Sequence, residues 1–414
     1  MIIRARTVLP VTAPPVSDGA VVVLGNQIQA VGKWQNLRSK FSGEEIVDLG
    51  ETIVLPGLVN AHCHLDYTGM AGLWTPPKKF TDWIPRMLAA KAEWSYTDYA
   101  RSWLAGAKML LQTGTTTVGD IEATPELLPD VWESTPLRIL SFLEMTGVRS
   151  QREPERIIGD ALRQINSLSH PRCRAALSPH APYSTSPELL RLSGIVARED
   201  NLPVTIHVAE SAQEFEMFSL GRGEMFDWLK KNGRDNSDCG LGTPVRHLES
   251  TGLLGKNLLA VHVNYLGDED FSLLARRGVS VVHCPRSHVY FRHQSFPLDK
   301  LAAAKVNLCL GTDSLATVAK VGKEKLSLDL FVEMQQLART NPELSPKTIV
   351  RMATVNGAKA LGRAGQVGQL SPNAFADLIA LPFKGKTRDI YESVVHHSST
   401  ITASMIDGQW AIAP

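Results

Sequence analysis

The sequence predicts an α/β protein, a (β/α)₈ TIM barrel with a small β-sandwich formed by both chain termini. Three observations lead to this prediction. Short β-rich runs alternate with longer helical stretches through the middle of the chain, both ends consist of short strand-like runs, and ionisable residues recur where the central strands end. At 414 residues the chain exceeds the usual ~100–200 residues of one domain, so we expect a large domain and a smaller one.

Both termini are typical of short strands joined by turns. Residues 20–24 and 27–31 flank a Gly-Asn dipeptide, which supplies the positive φ angles of a hairpin turn. Residues 376–381 and 401–406 repeat this pattern near the other end of the chain. Strand-rich ends around a long middle therefore predict one small β domain built from both termini.

The middle of the chain contains eight strand candidates, and the count matches a closed barrel. They begin near Ile53, Thr115, Leu137, Cys173, Pro203, Leu258, Val279 and Val306. An open doubly wound sheet is the main alternative, but no G-x-G-x-x-G sequence or P-loop follows any of these strands. We therefore assign residues 57–363 to the barrel, and residues 1–56 with 364–414 to the β-sandwich.

Charge and cysteine usage exclude several classes of protein. The chain has 43 Lys and Arg against 42 Asp and Glu, a net charge of +1, so we expect neither nucleic acid nor a membrane as partner. No apolar run approaches the ~18 residues that a membrane helix needs. The five cysteines form no C-x-x-C pair and the N-terminus has no apolar signal core, so we expect a cytoplasmic protein.

A barrel places its active site at the carboxyl ends of its strands, which makes the residues there informative. The predicted strand ends carry His62, His64, Asp120, Glu144, His180, His207, His262, His283 and Asp313. Apolar runs that repeatedly lead into ionisable side chains are atypical of a structural core. The sequence therefore predicts a polar catalytic centre at this end of the barrel.

His62 and His64 are the first candidates for metal ligands. Residues two apart on a strand point to the same face, so both imidazoles can enter one small volume. Imidazoles suit zinc, iron and similar divalent metals. His207 and Asp313, on later strands, would complete the set and leave room for a water. By itself, H-x-H is equally typical of two hydrogen-bonded histidines; the ligands on later strands favour the metal site.

Glu210 and His262 are the candidates for proton chemistry. Glu210 follows the fifth predicted strand, where a carboxylate beside a metal can take a proton from water and return it to the substrate. The alternative is a glutamate that stabilises a helix N-terminus, and the two roles are compatible. His262 ends the sixth strand and can orient the attacking hydroxide, although a lone histidine is more often a satisfied core residue.

Five side chains are candidates for substrate contact. They are His180, Trp74, Glu144, Arg286 and His288. His180 lies between two prolines in a rigid strand exit, and Trp74 can stack on a planar heterocycle. Glu144 either grips substrate hydroxyls or holds the histidines in place, and the same choice applies to Asp120. Arg286 and His288 belong to a basic segment that either binds substrate or is a solvated surface.

At this point the sequence resembles the amidohydrolase superfamily, in its mononuclear metal-dependent deaminase branch, over nearly its whole length. The matching motifs are L-P-G-L-V-N-A-H-C-H-L at 55–65, S-P-H-A-P-Y at 178–183, H-V-A-E at 207–210, His262, G-T-D-S at 311–314, A-T-V-N-G-A-K-A-L-G at 353–362 and F-A-D-L at 375–378. One departure concerns the substrate pocket: His288 follows C-P-R-S, where the family usually has asparagine.

The resemblance implies one divalent metal ion per subunit, zinc or iron, on His62, His64, His207 and Asp313. It implies that Glu210 shuttles protons between water and a ring nitrogen, that His262 positions hydroxide, and that Asp313 also carries a proton toward the leaving ammonia. The fourth predicted strand lacks the bridging lysine of dinuclear relatives, which favours a single metal. Dimers are common among relatives, which favours a homodimer.

Within that branch, the resemblance is to deaminases of adenine-type nucleosides, such as aminodeoxyfutalosine or S-adenosylhomocysteine and methylthioadenosine deaminases. The predicted function is thus hydrolytic release of ammonia from a purine-like ring, with a small heterocycle as substrate. The alternative is hydrolysis of a cyclic amide or of another substituted N-heterocycle, such as guanine, cytosine, a triazine or a pterin. A non-catalytic barrel is disfavoured because every candidate metal ligand is present.

Overall fold

The computed structural model describes residues 1–147, 152–320, 322 and 325–414. The strands are β1 (Ile2–Val8), β2 (Val16–Leu24), β3 (Gln27–Lys33), β4 (Ile46–Asp48), β5 (Thr52–Pro56), β6 (Leu58–Cys63), β7 (Thr115–Glu122), β8 (Arg138–Met145), β9 (Cys173–Pro179), β10 (Val204–Val208), β11 (Leu258–His262), β12 (Ser280–His283), β13 (Asn307–Leu310), β14 (Leu378–Pro382), β15 (Ala403–Ile406) and β16 (Gln409–Ile412).

Helices follow or separate these strands. They are α1 (Trp34–Lys40), α2 (Phe80–Glu93), α3 (Tyr96–Gln112), α4 (Leu128–Glu133), α5 (Pro154–Ser167), α6 (Pro187–Glu199), α7 (Ala212–Leu220), α8 (Glu224–Lys231), α9 (Pro244–Ser250), α10 (Asp268–Arg277), α11 (Pro285–Tyr290), α12 (Leu298–Ala303), α13 (Leu330–Thr340), α14 (Pro346–Met352), α15 (Val355–Ala360) and α16 (Ile390–Val395). Among the described residues, no helix is both long and apolar enough to cross a membrane.

Strands β6 to β13 form the predicted TIM barrel. Each pairs in parallel with the next, and a bridge between Cys63 and Asp313 links the first and last strands. The interior is filled by side chains from alternating positions, such as Val59, Ala61 and Phe142, which are almost fully buried. The barrel is thus a packed core, and its polar chemistry is restricted to the strand ends.

The first barrel strand begins at Leu58, and the prediction that it begins near Ile53 is wrong. Residues Thr52–Pro56 form β5, which pairs with β1 and β14 in the terminal sheet. Gly57 separates the two strands where the chain passes close to β7. A Cβ added at Gly57 would lie 2.0 Å from Thr116 Oγ1, so a side chain is excluded at this crossing.

The strands of both termini form a second sheet in the order β16-β15-β14-β5-β1-β2-β3, with β4 beside β1. They make one hydrogen-bonded sheet, so the termini fold together as the sequence predicts. We propose that residues 1–56 with 364–414 form one domain and that residues 57–363 form the barrel domain. It is supported by the passage from one sheet to the other between β5 and β6.

One buried ion-pair network ties the terminal sheet to the barrel. Arg138, at the start of β8, donates to Asp377 at 2.5 Å and to Asp407 at 2.6 Å. The guanidinium also lies 3.8 Å from the ring centroid of Phe375. Because Asp377 and Asp407 belong to the C-terminal segment, this network fixes the terminal sheet against the end of the barrel opposite the polar strand ends.

Two separate helices, α2 and α3, lie between β6 and β7. Helix α2 ends at Glu93, and α3 begins after Ser95, whose side chain accepts from the Asp98 backbone N–H while Asp98 accepts from the Ser95 N–H. This reciprocal capping box starts a new helix direction. As a result, α2 leaves the outer helical layer and covers the polar end of the barrel.

Candidate active site

The carboxyl ends of β6, β10, β11 and β13 bring the predicted site residues together. His62 lies on β6 and His64 directly follows it, His207 lies on β10, His262 ends β11, and Asp313 follows β13. All five side chains are at least nine-tenths buried. Parallel strands in a closed barrel end on one face, which is why residues so distant in sequence meet there.

Three imidazoles form the centre of this group. His62, His64 and His207 each present a ligand atom within 4.8 Å of the other two, and no other group of this kind occurs in the described part of the chain. The ring centroid of His62 lies 5.0 Å from that of His64 and 4.9 Å from that of His207. The Nε2 atoms of His64 and His207 are 3.3 Å apart. This spacing is close to that of ligands around a common ion.

Asp313 adds one carboxylate to the imidazoles. Its Oδ1 lies 3.7 Å from His62 Nε2 and 3.6 Å from His64 Nε2. Its Oδ2 accepts a hydrogen bond from the Thr317 hydroxyl at 3.1 Å, which fixes the orientation of the carboxylate. The backbone of Asp313 has a positive φ of 53°, a conformation that turns the residue sharply out of β13 and toward the histidines.

His207 is held in one tautomer by the strand beside it. Its Nδ1 donates to the backbone carbonyl of His180 at 2.9 Å, which leaves Nε2 as the free acceptor. His64 stacks on the ring of Tyr67 at a centroid distance of 5.2 Å. The His180 carbonyl and the Tyr67 ring thus orient His207 and His64, and neither contact uses the Nε2 atoms that face the centre.

The electrostatics of the histidines suit a divalent cation. Burial, followed by the charge of His62, lowers the pKa of His64 to about 3, so its ring is neutral. Both ring nitrogens of His62 and the Nδ1 of His64 are buried with no hydrogen-bond partner among the described residues. Unpartnered buried acceptors are costly unless something binds them. Three buried imidazoles and one carboxylate therefore fit a bound metal.

Glu210 and His262 face each other beside this centre. Glu210 Oε1 lies 3.5 Å from His262 Nε2. Burial, followed by the negative charges of Asp313 and Glu214, raises the pKa of Glu210 well above its ordinary value. Burial also lowers the pKa of His262 to about 3. A carboxyl group with a raised pKa next to a neutral imidazole can both hold and release a proton.

The backbone around Glu210 is tightly held. Ala209 has a φ of +52°, and the carboxylate of Glu214 on α7 accepts the N–H groups of Ala209 at 3.0 Å and Glu210 at 2.8 Å. Asn264 donates to the Glu210 carbonyl at 2.9 Å. Glu214 is fully buried, and burial raises its pKa to about 7 against the opposing effect of these N–H groups.

A cavity of about 270 Å³ opens onto the histidine centre. Besides that centre, its polar lining includes Glu144 and His180, as predicted from the sequence, and also Lys91. Glu144 lies 3.9 Å from His180 and 3.5 Å from Lys91. Burial alone would raise the pKa of Glu144, but Lys91, His180 and His64 together lower it to about 2, so it is ionised.

Three of the predicted substrate contacts do not line this cavity. Arg286 is committed elsewhere: its guanidinium donates to Glu333 at 2.5 Å, and its backbone N–H donates to the same carboxylate. His288 lies on α11, and its Nδ1 is 3.0 Å from Asn264 Oδ1. Neither Arg286 nor His288 is therefore among the residues that line this cavity.

Trp74 is also outside the cavity. Its ring packs edge-on against Trp83 at a centroid distance of 5.0 Å, so it supports the wall from behind. Trp83 lines the cavity, as do other aromatic side chains such as Phe80 and Phe291. Which of the two tryptophans lines the cavity depends on the direction in which α2 faces. The sequence alone does not specify that direction.

Asp120 and His283 contact other parts of the protein and do not line the cavity. Asp120 accepts the backbone N–H of Leu65 at 3.0 Å and the indole N–H of Trp103 at 3.0 Å, so it holds the chain directly after His64. His283 stacks on Phe296 at a centroid distance of 3.9 Å and does not line the cavity. Of the two roles open to Asp120, the contacts favour support of the metal-site backbone.

Sequence reasoning missed Lys91, Tyr67 and Glu214. Lys91 donates to the Tyr67 hydroxyl at 2.5 Å, and Tyr67 stacks on His64, so both belong to the same network as the histidines. Lys91 and Glu214 lie on helices, where periodicity alone makes them ordinary polar positions. The one available signal was the placement of Glu214 four residues after Glu210, at the start of a helix.

The chain is similar to known proteins over most of its length. The pattern of the amidohydrolase family matches residues 53–411. A 5-methylthioadenosine/S-adenosylhomocysteine deaminase of Syntrophobacter fumaroxidans is 33% identical over 94% of this chain and 87% of its own length. An aminodeoxyfutalosine deaminase of Deinococcus radiodurans is 31% identical over 84% of this chain and 82% of its own.

A solved structure gives the same result for the fold. The adenosine deaminase from Xanthomonas campestris, with bound zinc, superposes with a TM-score of 0.83 and 25% identity, over 99% of this chain and 92% of the other. The match therefore includes the terminal sheet as well as the barrel. Together with the family pattern and the relative at 33% identity, it shows that this chain belongs to the amidohydrolase family.

Proposed function

We propose that this protein is a metal-dependent hydrolase of carbon–nitrogen bonds that releases ammonia from an adenine-type nucleoside. The convergence of His62, His64, His207 and Asp313 beside Glu210, at the base of one cavity, is the observation that carries the proposal. The names of the relatives support deamination of an adenine nucleoside as the reaction.

His62, His64, His207 and Asp313 would hold one divalent cation per subunit, zinc or iron. When bound, such a cation supplies the positive charge that makes a water molecule nucleophilic near neutral pH. The convergence of the three buried imidazoles and the nearby carboxylate of Asp313 support this ligand set. Zinc is supported further by the ion in the related adenosine deaminase.

Glu210 transfers protons between the attacking water and the substrate ring. Its carboxylate accepts a proton from the attacking water and delivers it to the ring nitrogen next to the reacting carbon. The raised pKa of Glu210 makes its protonated form persist long enough for this delivery. His262, 3.5 Å from Glu210 and neutral, donates a hydrogen bond that orients the attacking oxygen over the ring.

Collapse of the tetrahedral adduct completes the exchange. A new carbon–oxygen bond has formed, the carbon–nitrogen bond breaks, and the amino group leaves as ammonia after it takes up the second proton of the water. Asp313 lies beside the same centre and is the group that we propose for this transfer. The hydrogen bond that its Oδ2 accepts from Thr317 keeps the carboxylate at this position.

Glu144 and His180 would bind the substrate beyond the reacting ring. Both line the cavity, and they lie 3.9 Å from each other. Ser184 holds the His180 imidazole at 2.6 Å, so His180 presents a fixed edge to the cavity. A small heterocyclic molecule is therefore the proposed partner of this site.

We also propose a cytoplasmic location and a homodimer. All five cysteines are unpaired, which supports a reducing compartment such as the cytoplasm. A homodimer is proposed from the resemblance to the family, and sedimentation analysis tests it.

The experiment that tests the function is a release assay for ammonia. Metal-replete enzyme is offered aminodeoxyfutalosine, S-adenosylhomocysteine, adenosine and guanine, and the chelator-treated enzyme serves as control. We expect ammonia from at least one adenine nucleoside, and loss of that activity after metal removal. No ammonia from any adenine nucleoside, with a full complement of metal in the protein, would contradict the proposal.

A further inference from the structure

The turn that carries Glu210 is held from two sides. On one side, the Glu214 carboxylate accepts the backbone N–H groups of Ala209 and Glu210. On the other side, Asn264, just beyond β11, binds the carbonyl groups of the same two residues. Its backbone N–H donates to the Ala209 carbonyl at 2.9 Å, and its Nδ2 donates to the Glu210 carbonyl at 2.9 Å. Asn264 thus holds the turn with both its backbone and its side chain.

Only one orientation of the Asn264 amide can make the bond to Glu210. A carbonyl oxygen only accepts, so the amide must turn its NH₂ group toward the Glu210 carbonyl. A flipped amide would bring its own oxygen against that carbonyl, and the hydrogen bond would be lost. In the orientation observed, Oδ1 faces the other way and needs a donor of its own, because Asn264 is 2% exposed.

His288 of α11 supplies this donor. Its Nδ1 lies 3.0 Å from Asn264 Oδ1, and because an amide oxygen cannot donate, Nδ1 carries the proton. Burial lowers the pKa of His288 to about 4, so the ring is neutral at ordinary pH. The rings of His283 and His293 pack against it, with centroids 5.3 and 5.5 Å away. These neighbours restrict the rotation of the imidazole, so its Nδ1 stays directed at Asn264.

Neither His288 nor Asn264 lines the cavity. His288 can therefore influence the reaction only through Asn264 and the backbone of Glu210. Glu210 Oε1 lies 3.5 Å from His262 Nε2 beside the histidine centre, so a shift of the turn moves the carboxylate relative to the atoms that exchange protons with it. General acid–base catalysis requires those atoms within hydrogen-bond reach, which makes this position critical for the rate.

We infer that His288 is a positioning residue: by donating from Nδ1 to Asn264 Oδ1, it fixes the amide orientation in which Asn264 holds Glu210 in place for proton transfer. This inference rests on the proposed function and deepens it. Loss of the donor lowers kcat, while KM and metal content stay close to those of the wild type, because no residue of the cavity or of the candidate metal site is altered.

The first experiment compares two replacements of His288 with similar shapes. His288→Leu removes the donor, whereas His288→Asn keeps one, because the asparagine Nδ2 is bonded to Cγ as the histidine Nδ1 is. With the nucleoside that the wild type deaminates fastest, we expect kcat of His288→Leu to fall about three- to tenfold, the contribution of one neutral hydrogen bond. His288→Asn should stay within about twofold of the wild type, a range well below that contribution. His293→Leu is the matched control, since it removes a neighbouring imidazole whose Nδ1 lies 3.4 Å from the Tyr265 hydroxyl.

A double variant tests whether the two residues act along one path. In an Asn264→Ala background, His288→Leu should lower kcat no further, because the amide that His288 orients is already absent. Thermal melting and metal analysis check that each variant is folded and loaded.

Several outcomes would overturn the inference and leave the proposed function intact. They are an unchanged kcat in His288→Leu, a rise in KM alone, an equal loss in His288→Asn or in His293→Leu, and a further fall in the double variant. A metal-replete wild type that releases no ammonia from any nucleoside would contradict the proposed function, and the inference with it.

A second measurement does not depend on turnover or on the folding of His288→Leu. ¹⁵N NMR of the histidine-labelled wild-type enzyme shows which ring nitrogen of His288 carries the proton, and the spectrum of His288→Asn identifies the signal by its absence. We expect the Nδ1–H tautomer at neutral pH. The Nε2–H tautomer would overturn the inference, because His288 could not then donate to Asn264 Oδ1.

Discussion

The carboxylate of Glu214 accepts the backbone N–H of Glu210 at 2.8 Å. The same carboxylate accepts the N–H of Ala209, whose φ of +52° is uncommon for a residue with a side chain. Glu214 therefore stabilises a turn that the chain would otherwise disfavour. As a consequence, this turn directs the Glu210 side chain toward the histidine centre.

Glu214→Gln should lower kcat by about 10-fold or more, with little change in KM and full metal content. An amide offers one acceptor oxygen and an NH₂ group that cannot accept from the second N–H, so the turn at Glu210 loosens. The measurement is steady-state kinetics together with metal analysis. Glu216→Gln, on the same helix and partly exposed, is the control and should behave as wild type. A raised KM with unchanged kcat would contradict this positioning role.

Glu210→Gln should keep its metal and lose turnover by about 10²–10⁴-fold, because the amide cannot accept and return a proton. Single-turnover assays and metal analysis measure the two quantities separately. A rate near that of wild type would remove Glu210 from the proton transfer.

His207→Ala should lose most of its metal affinity, since one of three converging imidazoles is removed. Metal content after dialysis against a weak chelator is the measurement. His396→Ala removes a half-exposed histidine far along the chain and serves as control. Full occupancy in the His207 variant would mean that another side chain supplies the third nitrogen.

Lys91→Met should raise KM for adenosine by about tenfold, with a smaller effect on kcat. The substitution keeps the apolar stem but removes the largest influence that lowers the pKa of the buried Glu144, so Glu144 loses its ion-pair partner and no longer presents a fixed carboxylate to the substrate. Lys79→Met removes a more exposed lysine of the same wall and is the control. A change in kcat alone would indicate that Lys91 acts on the chemical step.

Arg138→Met should destabilise the protein by about 3–5 kcal/mol, because Asp377 is left buried without its partner. Chemical unfolding monitored by circular dichroism measures this loss. The control is Arg4→Met, whose ion pairs are exposed and contribute about 1 kcal/mol or less. Equal effects of the two variants would mean that the network does not hold the sheet to the barrel.

The sequence predicted the barrel, the contribution of both termini to a second sheet, and the side chains that surround the candidate metal site. These follow from local pattern. The alternation of strands and helices indicates a closed parallel sheet, and such a sheet brings every strand end to one face. His62, His64, His207 and Asp313 meet because each lies at or just beyond the carboxyl end of a strand, so no knowledge of side-chain packing was needed.

Tertiary structure alone decided which residues on helices and loops reach the site. Lys91 and Trp83 line the cavity because α2 folds over the barrel mouth, whereas Trp74, Arg286 and His288 are turned away by the docking of their segments. A helix presents different residues according to its rotation and tilt, and these depend on packing against distant parts of the chain. The identities of strand-end residues are therefore readable from the sequence, while those of the cavity wall depend on how the helices pack.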